Sequence, residues 1–401
     1  MSGHSTVAIN DLNHWLEKIY IYTADLTLAT KKITARAAGC SWDPAANRLR
    51  LTDFSVLPNN SRDETFRRSR WQMDFITVGG RALTLSGLQL SSVSNRITAG
   101  VDKVTLDGVS VEASRDKHMP FHHGIEKPMP TKLIGSIPFA LRVDTTVLVD
   151  GKVTYHELSL ATNRWSSIPI GNINGYVFHI DSRAGAAGGA GGVGGPGAAG
   201  GVGVPSGVST TGSGPGAADT LIVEARGRLF DGDIRRFYYA ESYGDSLSAF
   251  TAKSSFSRLD LTRFSQALIP AAAVSIVDGH VDTAWSGWRG NKYATYGILD
   301  LDYDKLRIRV LNKRDSVHRG IASAFETWAA RLLLRGKNTK TSLIWFERDR
   351  EKFVFNYWVK AQASGVLSTL LRIKNEQYRK AFEQKCREYG LPSGGLLNER
   401  Q

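Results

Sequence analysis

Hydrophobic and polar residues alternate along much of the chain before residue 313, and frequent Asp-Gly and Asn-containing turns separate the runs. An alternation of period two predicts strands with one apolar and one polar face, which are typical of antiparallel sheets. We therefore expect a mainly β protein built on a curved antiparallel sheet. The clearest apolar runs are Tyr176, Phe178 and Ile180; Leu221, Val223, Ala225 and Leu229; and Leu306, Ile308 and Val310.

The spacing of apolar residues changes after residue 312. They then recur every three or four positions, which predicts an amphipathic helix with one apolar stripe. Residues 341–346 and 352–359 predict closing strands, and residues 366–389 predict a basic helical tail. The apolar stripe of the first helix consists of Val317, Ile321, Phe325, Trp328 and Leu332.

A glycine-rich segment interrupts the strand pattern at residues 184–218, where 15 of 35 residues are Gly and none is charged. Such a segment loses too much backbone entropy to fold, so we predict a flexible insertion. A phosphate-binding loop does not fit, because no Lys-Ser/Thr follows. The predicted units are the N-terminal part of the sheet (1–183), the insertion (184–218), the C-terminal part of the sheet (219–312), the amphipathic helix with closing strands (313–362) and the basic tail (363–401).

A short frame recurs in the strand regions. Leu106-Asp107-Gly108, Val149-Asp150-Gly151 and Val277-Asp278-Gly279 each stand before further β-forming residues. Glycine adopts positive φ at little cost, so the frame suits a tight turn or a bulge that bends a strand pair. Two interpretations remain open: a coincidence of hairpin turns, or a repeating β architecture.

Charge narrows the choice of partners. The chain carries +13, and residues 301–401 contain 21 basic and 11 acidic side chains. A basic terminal region favours anionic partners, either phospholipid headgroups or nucleic acid. No stretch reaches the ~20 apolar residues of a membrane-spanning helix, and the chain opens without an export signal. Because a strand-like pattern stands at residues 6–9, we also expect the start to be truncated.

The sequence gives no positive sign of catalysis or of a cofactor. It contains neither Gly-x-Ser-x-Gly nor His-Glu-x-x-His, which are common hydrolase signatures. Cys40 and Cys386 share no metal-ligand spacing. His118, His122 and His123 are close in sequence but have no nearby Cys, Asp or Glu in ligand spacing, so they predict a surface loop. We expect no enzyme, no metal and no cofactor.

What the pattern does offer is extended apolar sheet surface. If successive strands turn their apolar faces the same way without a covering layer, they form an open groove. Bare apolar surface costs roughly 2.5 kcal/mol for each ~100 Å², and acyl chains would cover it. In a closed β-sandwich the two apolar faces would instead meet, and the pattern alone does not separate these architectures. The predicted groove residues are Leu221, Val223, Ala225, Val281, Leu299, Leu301, Leu306, Ile308 and Val310.

Several short segments between about residues 20 and 365 carry a family resemblance. They include Leu57-Pro58-Asn59-Asn60-Ser61-Arg62-Asp63-Glu64-Thr65-Phe66, Ile137-Pro138-Phe139-Ala140-Leu141-Arg142-Val143-Asp144 and Gly297-Ile298-Leu299-Asp300-Leu301-Asp302-Tyr303-Asp304-Lys305-Leu306. These segments resemble the AsmA-like proteins of Bacteroidetes-type bacteria. None of them is a catalytic motif.

The resemblance implies a protein of the cell envelope, on the periplasmic side of the inner membrane. It points to the AsmA and TamB group and, more distantly, to the chorein-type bridge proteins, which are built of repeating β-groove units. Such proteins are thought to move phospholipid or to support outer-membrane assembly. This chain departs from the family by lacking an anchor helix and by carrying the glycine-rich insertion.

The expected function is therefore noncatalytic binding or conduction of phospholipid, with acyl chains in the groove and other envelope proteins as further expected partners. The tail would contact an anionic membrane surface through Arg372, Lys374, Arg379, Lys380, Lys385 and Arg387, each contributing ~1 kcal/mol. A nucleic-acid-binding or carbohydrate-binding β protein is the alternative, using Trp285, Trp288 and Arg289. Nucleic acid is the less expected partner, because stacking platforms need more aromatic residues among the basic ones.

Overall fold

The computed structural model describes residues 25–93, 96–160, 162–184, 219–311, 338–371 and 384–391. In these ranges the protein is mainly β, which confirms the predicted fold class. Fourteen strands form one sheet in the order β1-β2-β3-β4-β5-β7-β8-β9-β10-β11-β12-β13-β14, with β6 beside β4 and β7. Neighbouring strands are antiparallel except where β5 and β6 pair with β7 in parallel.

The strands are β1 (Leu26–Ala29), β2 (Ile33–Asp43), β3 (Arg48–Pro58), β4 (Asp74–Val93), β5 (Arg96–Asp107), β6 (Ser110–Asp116), β7 (Ala140–Leu158), β8 (Trp165–Asp181), β9 (Thr220–Leu229), β10 (Gly232–Ser242), β11 (Phe250–Asp260), β12 (Val274–Gly290), β13 (Ala294–Val310) and β14 (Asn338–Glu347). The helices are α1 (Arg62–Arg68), α2 (Pro130–Ile134), α3 (Ser265–Ala272) and α4 (Val354–Leu371).

A line of irregularities crosses the sheet. At each point a residue has positive φ or the pairing register shifts, as between Leu148 and Val153 in the β7–β8 pair. Such bulges bend a strand and increase its twist. The positive-φ residues on this line, which we name the crease, are Asp53, Gly108, Asp150, Asn172, Arg258, Gly279 and Lys305.

All three Asp-Gly frames lie on the crease. Gly108 separates β5 from β6, which together fill one strand position between β4 and β7. Asp150 and Gly279 lie inside the long strands β7 and β12. Two of the frames are therefore bulges inside strands and the third is the break between β5 and β6, so none of the three is a hairpin turn.

One face of the C-terminal strands is covered by α4. Tyr357, Ala361 and Gly365 recur every four residues on the helix and face the sheet, where Gly365 lies against Leu299 and Ile344. The prediction of a strand at residues 352–359 is wrong, because α4 begins at Val354. The aromatic and β-branched residues there suggested a strand, but their burial follows the helical period.

The opposite face of the same strands carries a second apolar cluster. Cys386 and Leu391 pack on Ala294 and Tyr296 of β13. Residues 384–388 are helical, and the Leu391 N–H donates to the Cys386 carbonyl at 2.7 Å, with Gly390 at positive φ between them. A left-handed glycine of this kind commonly ends a helix.

Some predictions fall outside the described residues. They are the amphipathic helix with its stripe at 317–332 and, apart from Ala184, the glycine-rich insertion. On either side of the insertion β8 and β9 pair directly, with Phe178 opposite Ile222. The predicted N-terminal and C-terminal parts therefore belong to one continuous sheet.

Candidate functional site

Strand register aligns apolar side chains from β2 to β10. Residues that pair across neighbouring strands project from the same face of a sheet. Leu51 pairs with Leu83, which pairs with Leu106, which in turn pairs with Leu148. We name the two resulting rows the apolar stripe; they are Cys40, Leu51, Leu83, Leu106, Leu148, Gly175, Ala225 and Phe237, and Trp42, Leu49, Leu85, Val104, Thr146, Val177, Val223 and Tyr239.

The other face of the same strands is polar. Arg50 pairs with Thr84, and Thr84 pairs with Thr105. Ser86 pairs with Lys103 in the next row. The sheet is thus amphipathic between β3 and β5, as the alternation predicted.

Over β3 to β5 no described helix forms a second layer on the apolar stripe. The helices α2, α3 and α4 pack on β7, β8, β10 and β12 to β14. The helix α1 contacts β4 through the rings of Phe66 and Phe75, whose centroids are 6.4 Å apart, at the end of β4 away from Leu83 and Leu85. Leu51, Leu83, Leu85 and Leu106 remain half-buried. On β3 to β5 the sheet is therefore a single amphipathic layer, and its leucine side chains are available to a ligand on the apolar face.

The stripe ends at α4. The Trp358 ring lies 4.7 Å from the Tyr239 ring and 5.7 Å from the Phe237 ring, measured between centroids. Both partners belong to β10. Beyond this point the same face of the sheet is the protein's own core. The half-buried residues of the stripe extend from β3 to β9, whereas Trp42 on β2 and Thr146 on β7 are buried.

The predicted groove residues divide between these two regions. Val281, Leu299, Leu301 and Leu306 lie in one buried cluster that includes Tyr357 of α4. As a correction, these four residues do not line an open groove, because all four are buried inside this cluster.

The other predicted groove residues vary in position. Leu221 is buried on β9, and Val223 and Ile308 are partly buried against the α4 cluster. Ala225 lies half-buried on the apolar stripe. For Val310 the structure describes only the backbone, which pairs with Val274.

Sequence reasoning missed the uncovered part of the stripe. Leu49 and Leu51 alternate with Arg48 and Arg50, and the same period occurs around Leu83. That signal was available, but periodicity does not tell which apolar face a distant helix will cover. The face assigned to β8 was also wrong: Val177, rather than Tyr176, shares a face with Val223.

The segment 117–129, which we name the strap, connects distant parts of the sheet. The Gln72 N–H donates to the Pro120 carbonyl at 2.9 Å, and the Lys127 N–H donates to the Arg350 carbonyl at 2.8 Å. At its end Met129 is buried in the cluster that contains Tyr239. The strap therefore joins the start of β4 to the turn after β14.

The three histidines of the strap have separate partners. His118 Nδ1 lies 2.7 Å from Asp116, and His123 Nδ1 lies 2.9 Å from Glu351. The His122 ring stacks on Trp71 with centroids 4.6 Å apart. No group of three metal-binding side chains occurs within the described ranges, and the predicted loop is confirmed.

A buried carboxylate lies where the stripe meets α4. Glu241 is 1% exposed and accepts hydrogen bonds from the Thr131 N–H and hydroxyl and from the Tyr239 hydroxyl. Burial raises the pKa of Glu241, although these donors oppose the shift. Glu241 and its hydrogen-bond donors thus form a polar cluster that does not continue the apolar stripe.

Two of the six predicted tail residues, Lys385 and Arg387, lie in the described part of the chain. The Lys385 ammonium is bonded to Glu347, which raises the pKa of Lys385, while Arg387 is exposed. Arg372, Lys374, Arg379 and Lys380 lie outside the described residues.

The two tryptophans that the alternative functions would use differ in how exposed their rings are. Trp288 is 1% exposed beneath α4, so its ring is not available to stack on a base or a sugar. Trp285 is half-buried and projects from the opposite face of β12, which also carries Arg289 four residues further along the strand. One ring does not make the row of stacking surfaces that single-stranded nucleic acid requires.

No protein-family model matches this chain, and no curated protein matches it significantly. The resemblance to AsmA-like proteins therefore stays a prediction. Of the helices described, none combines the length and the apolar character that crossing a membrane requires.

Proposed function

We propose that the protein binds phospholipid, with acyl chains lying on the apolar stripe between β3 and β9. The observation that supports this most is the row of half-buried leucines on β3, β4 and β5, namely Leu51, Leu83 and Leu106, which no described helix covers. The AsmA-like resemblance adds that the protein acts in the cell envelope and contributes to outer-membrane assembly or homeostasis. The role is noncatalytic: the side chains exclude water.

The dimensions suit this role. From β3 to β9 the stripe crosses five strand spacings, which is roughly 24 Å at ~4.8 Å per spacing. The acyl layer of one membrane leaflet is about 15 Å thick. A complete acyl chain therefore fits across the strands, and each buried CH₂ group contributes ~0.8 kcal/mol.

Site-specific photocrosslinking tests the proposal. A photoreactive phenylalanine analogue replaces Leu85 on the stripe or, as the matched control, its neighbour Thr84 on the polar face. After irradiation in cells, mass spectrometry of the purified protein identifies covalent adducts. We expect phospholipid adducts at position 85 and few at position 84.

Equal adduct yields at the two positions, or no lipid at position 85, would overturn the proposal. A nucleic-acid adduct at either position would favour the alternative function. Circular dichroism and the yield of purified protein check that the two variants fold and express alike.

A further inference from the structure

The helix α4 has apolar residues on both of its sides. Its inner side, with Val354, Tyr357 and Ala361, packs on the sheet. The opposite side, which we name the outer face of α4, consists of Phe355, Val359, Ala363 and Leu367.

The outer face is exposed to an unusual degree. Phe355 is 69% exposed and Val359 is 63% exposed. Its residues are spaced by four, so they form one continuous ridge along the helix. A surface helix of a water-soluble protein normally carries polar residues on that side, and α4 carries a single charged residue, Lys360.

The surroundings of the ridge are basic. Residues 348–360 contain four basic and two acidic side chains, and the strap adds Lys117 and Lys127 beside one acidic residue. Lys127 Nζ lies 5.1 Å from the centroid of the Phe353 ring, which is itself exposed at the start of α4. Aromatic rings and lysines thus alternate at this end of the helix.

Lys360 is the basic residue nearest the middle of the ridge. Burial lowers the pKa of Lys360; the ammonium groups of Lys352 and Lys117 lower it further, whereas the carboxylates of Asp349 and Glu157 raise it. Within the described residues no carboxylate forms an ion pair with Lys360, although Lys352 pairs with Asp349 and Lys117 pairs with Glu157. An added anion would relieve this repulsion.

We propose that the outer face of α4, with the surrounding lysines, docks on a bilayer surface that contains anionic phospholipid. Phe355, Val359 and Leu367 would enter the boundary between headgroups and acyl chains, and Lys360 would contact lipid phosphates. An exposed apolar ridge flanked by lysines has the composition of interfacial membrane-binding helices. Lipid on the apolar stripe is not needed for this docking, since the outer face of α4 and the stripe have no residue in common.

Vesicle sedimentation tests the proposal with the full chain. The vesicles contain phosphatidylcholine alone or phosphatidylcholine mixed with phosphatidylglycerol. We expect binding to the mixed vesicles that weakens as salt increases. The variant Phe355→Ser with Val359→Ser should bind at least about tenfold more weakly, because two apolar side chains no longer enter the membrane.

A matched control carries the same changes at exposed apolar residues elsewhere. Leu133→Ser with Val277→Ser removes side chains that are 50% and 42% exposed and should leave vesicle binding unchanged. Lys360→Gln should weaken binding about fivefold, whereas Lys103→Gln on the polar face of the sheet should not. Circular dichroism checks that each variant keeps its fold.

Three outcomes would overturn the docking. In the first, the wild-type chain fails to bind mixed vesicles, and in the second, the outer-face variant binds them as tightly as wild type. In the third, light scattering shows that wild type is a dimer and that the outer-face variant is a monomer, which would mean that the ridge binds a second copy of the chain. The lipid adduct at position 85 is expected to persist in the outer-face variant, so failure of the docking is distinguishable from failure of the proposed function.

Discussion

Gly365 of α4 lies directly against Leu299 of β13. A methyl group placed on Gly365 would be 3.1 Å from Leu299 Cβ and 2.8 Å from Ile344 Cγ1. This close approach seats the helix on the sheet, and the Ser342 hydroxyl donates to the Gly365 carbonyl at 2.9 Å. The absence of a side chain at Gly365 therefore allows α4 to lie this close to the sheet.

Replacing Gly365 with leucine should separate these layers. Four added carbon atoms cannot fit, so we expect a loss of about 1–3 kcal/mol in the free energy of unfolding. Urea denaturation followed by tryptophan fluorescence measures it. The control is Ala363→Leu on the exposed outer face of α4, where the same side chain should change stability by less than about 0.5 kcal/mol. Similar losses in both variants would contradict the tight packing at Gly365.

The crease predicts a second sensitive glycine. Gly108 has φ +61°, and an added Cβ would lie 2.6 Å from Arg81 Cζ. Arg81 pairs there with Asp107 at 2.7 Å and with Asp150 at 2.9 Å. Gly108→Ala should therefore cost about 1–3 kcal/mol, of which the left-handed backbone accounts for about 1–2 kcal/mol.

Gly124 provides the comparison for Gly108. It also has positive φ, at +82°, but an added Cβ would meet nothing within 4 Å. Gly124→Ala should show the backbone cost alone, so Gly108→Ala should be the more destabilising of the two in thermal unfolding. The opposite order would show that the crease tolerates a side chain at Gly108.

The β class was predictable because strand alternation is a local signal, visible in Leu221, Val223 and Ala225 alone. The position of α4 was not, since Tyr357 and Trp358 are as suitable for a strand as for a helix until their partners are known. The same limit affected the site. Leu299 and Leu85 alternate with polar neighbours in the same way, yet only Leu299 is covered by a helix that follows more than fifty residues later in the chain.

Glu241 should make stability depend on pH. Its pKa is raised in the folded protein by burial, so the folded state binds the proton more tightly than the unfolded state. The stabilisation from this group is present below the unfolded pKa of ~4.3 and is lost as pH rises through the folded value. The stability of wild type relative to Glu241→Gln should therefore fall as pH rises from about 4 to 7.

Asp278 gives a control of opposite sign for Glu241. The Arg307 guanidinium, which hydrogen-bonds its carboxylate at 2.8 Å, lowers the pKa of Asp278. Wild type should lose stability relative to Asp278→Asn as pH falls below about 4. Urea unfolding at several pH values measures both differences. If the difference in stability between wild type and Glu241→Gln does not change with pH, burial does not raise the pKa of Glu241.

The two cysteines should report separately on the apolar stripe and on the C-terminal cluster. Cys40 lies half-buried on the stripe opposite Leu51, whereas Cys386 is fully buried against Ala294 and Tyr296. The Cys386→Ala variant keeps the thiol of Cys40, and the Cys40→Ala variant keeps the thiol of Cys386. In the native state the first variant should react with a thiol reagent at least about tenfold faster than the second, because a buried thiol reacts only after local opening.

Acyl chains on the stripe would cover Cys40. Adding phospholipid should therefore slow the reaction of Cys40 and leave the slow reaction of Cys386 unchanged. Equal slowing of both thiols would indicate a general stabilisation of the fold instead of lipid on the stripe.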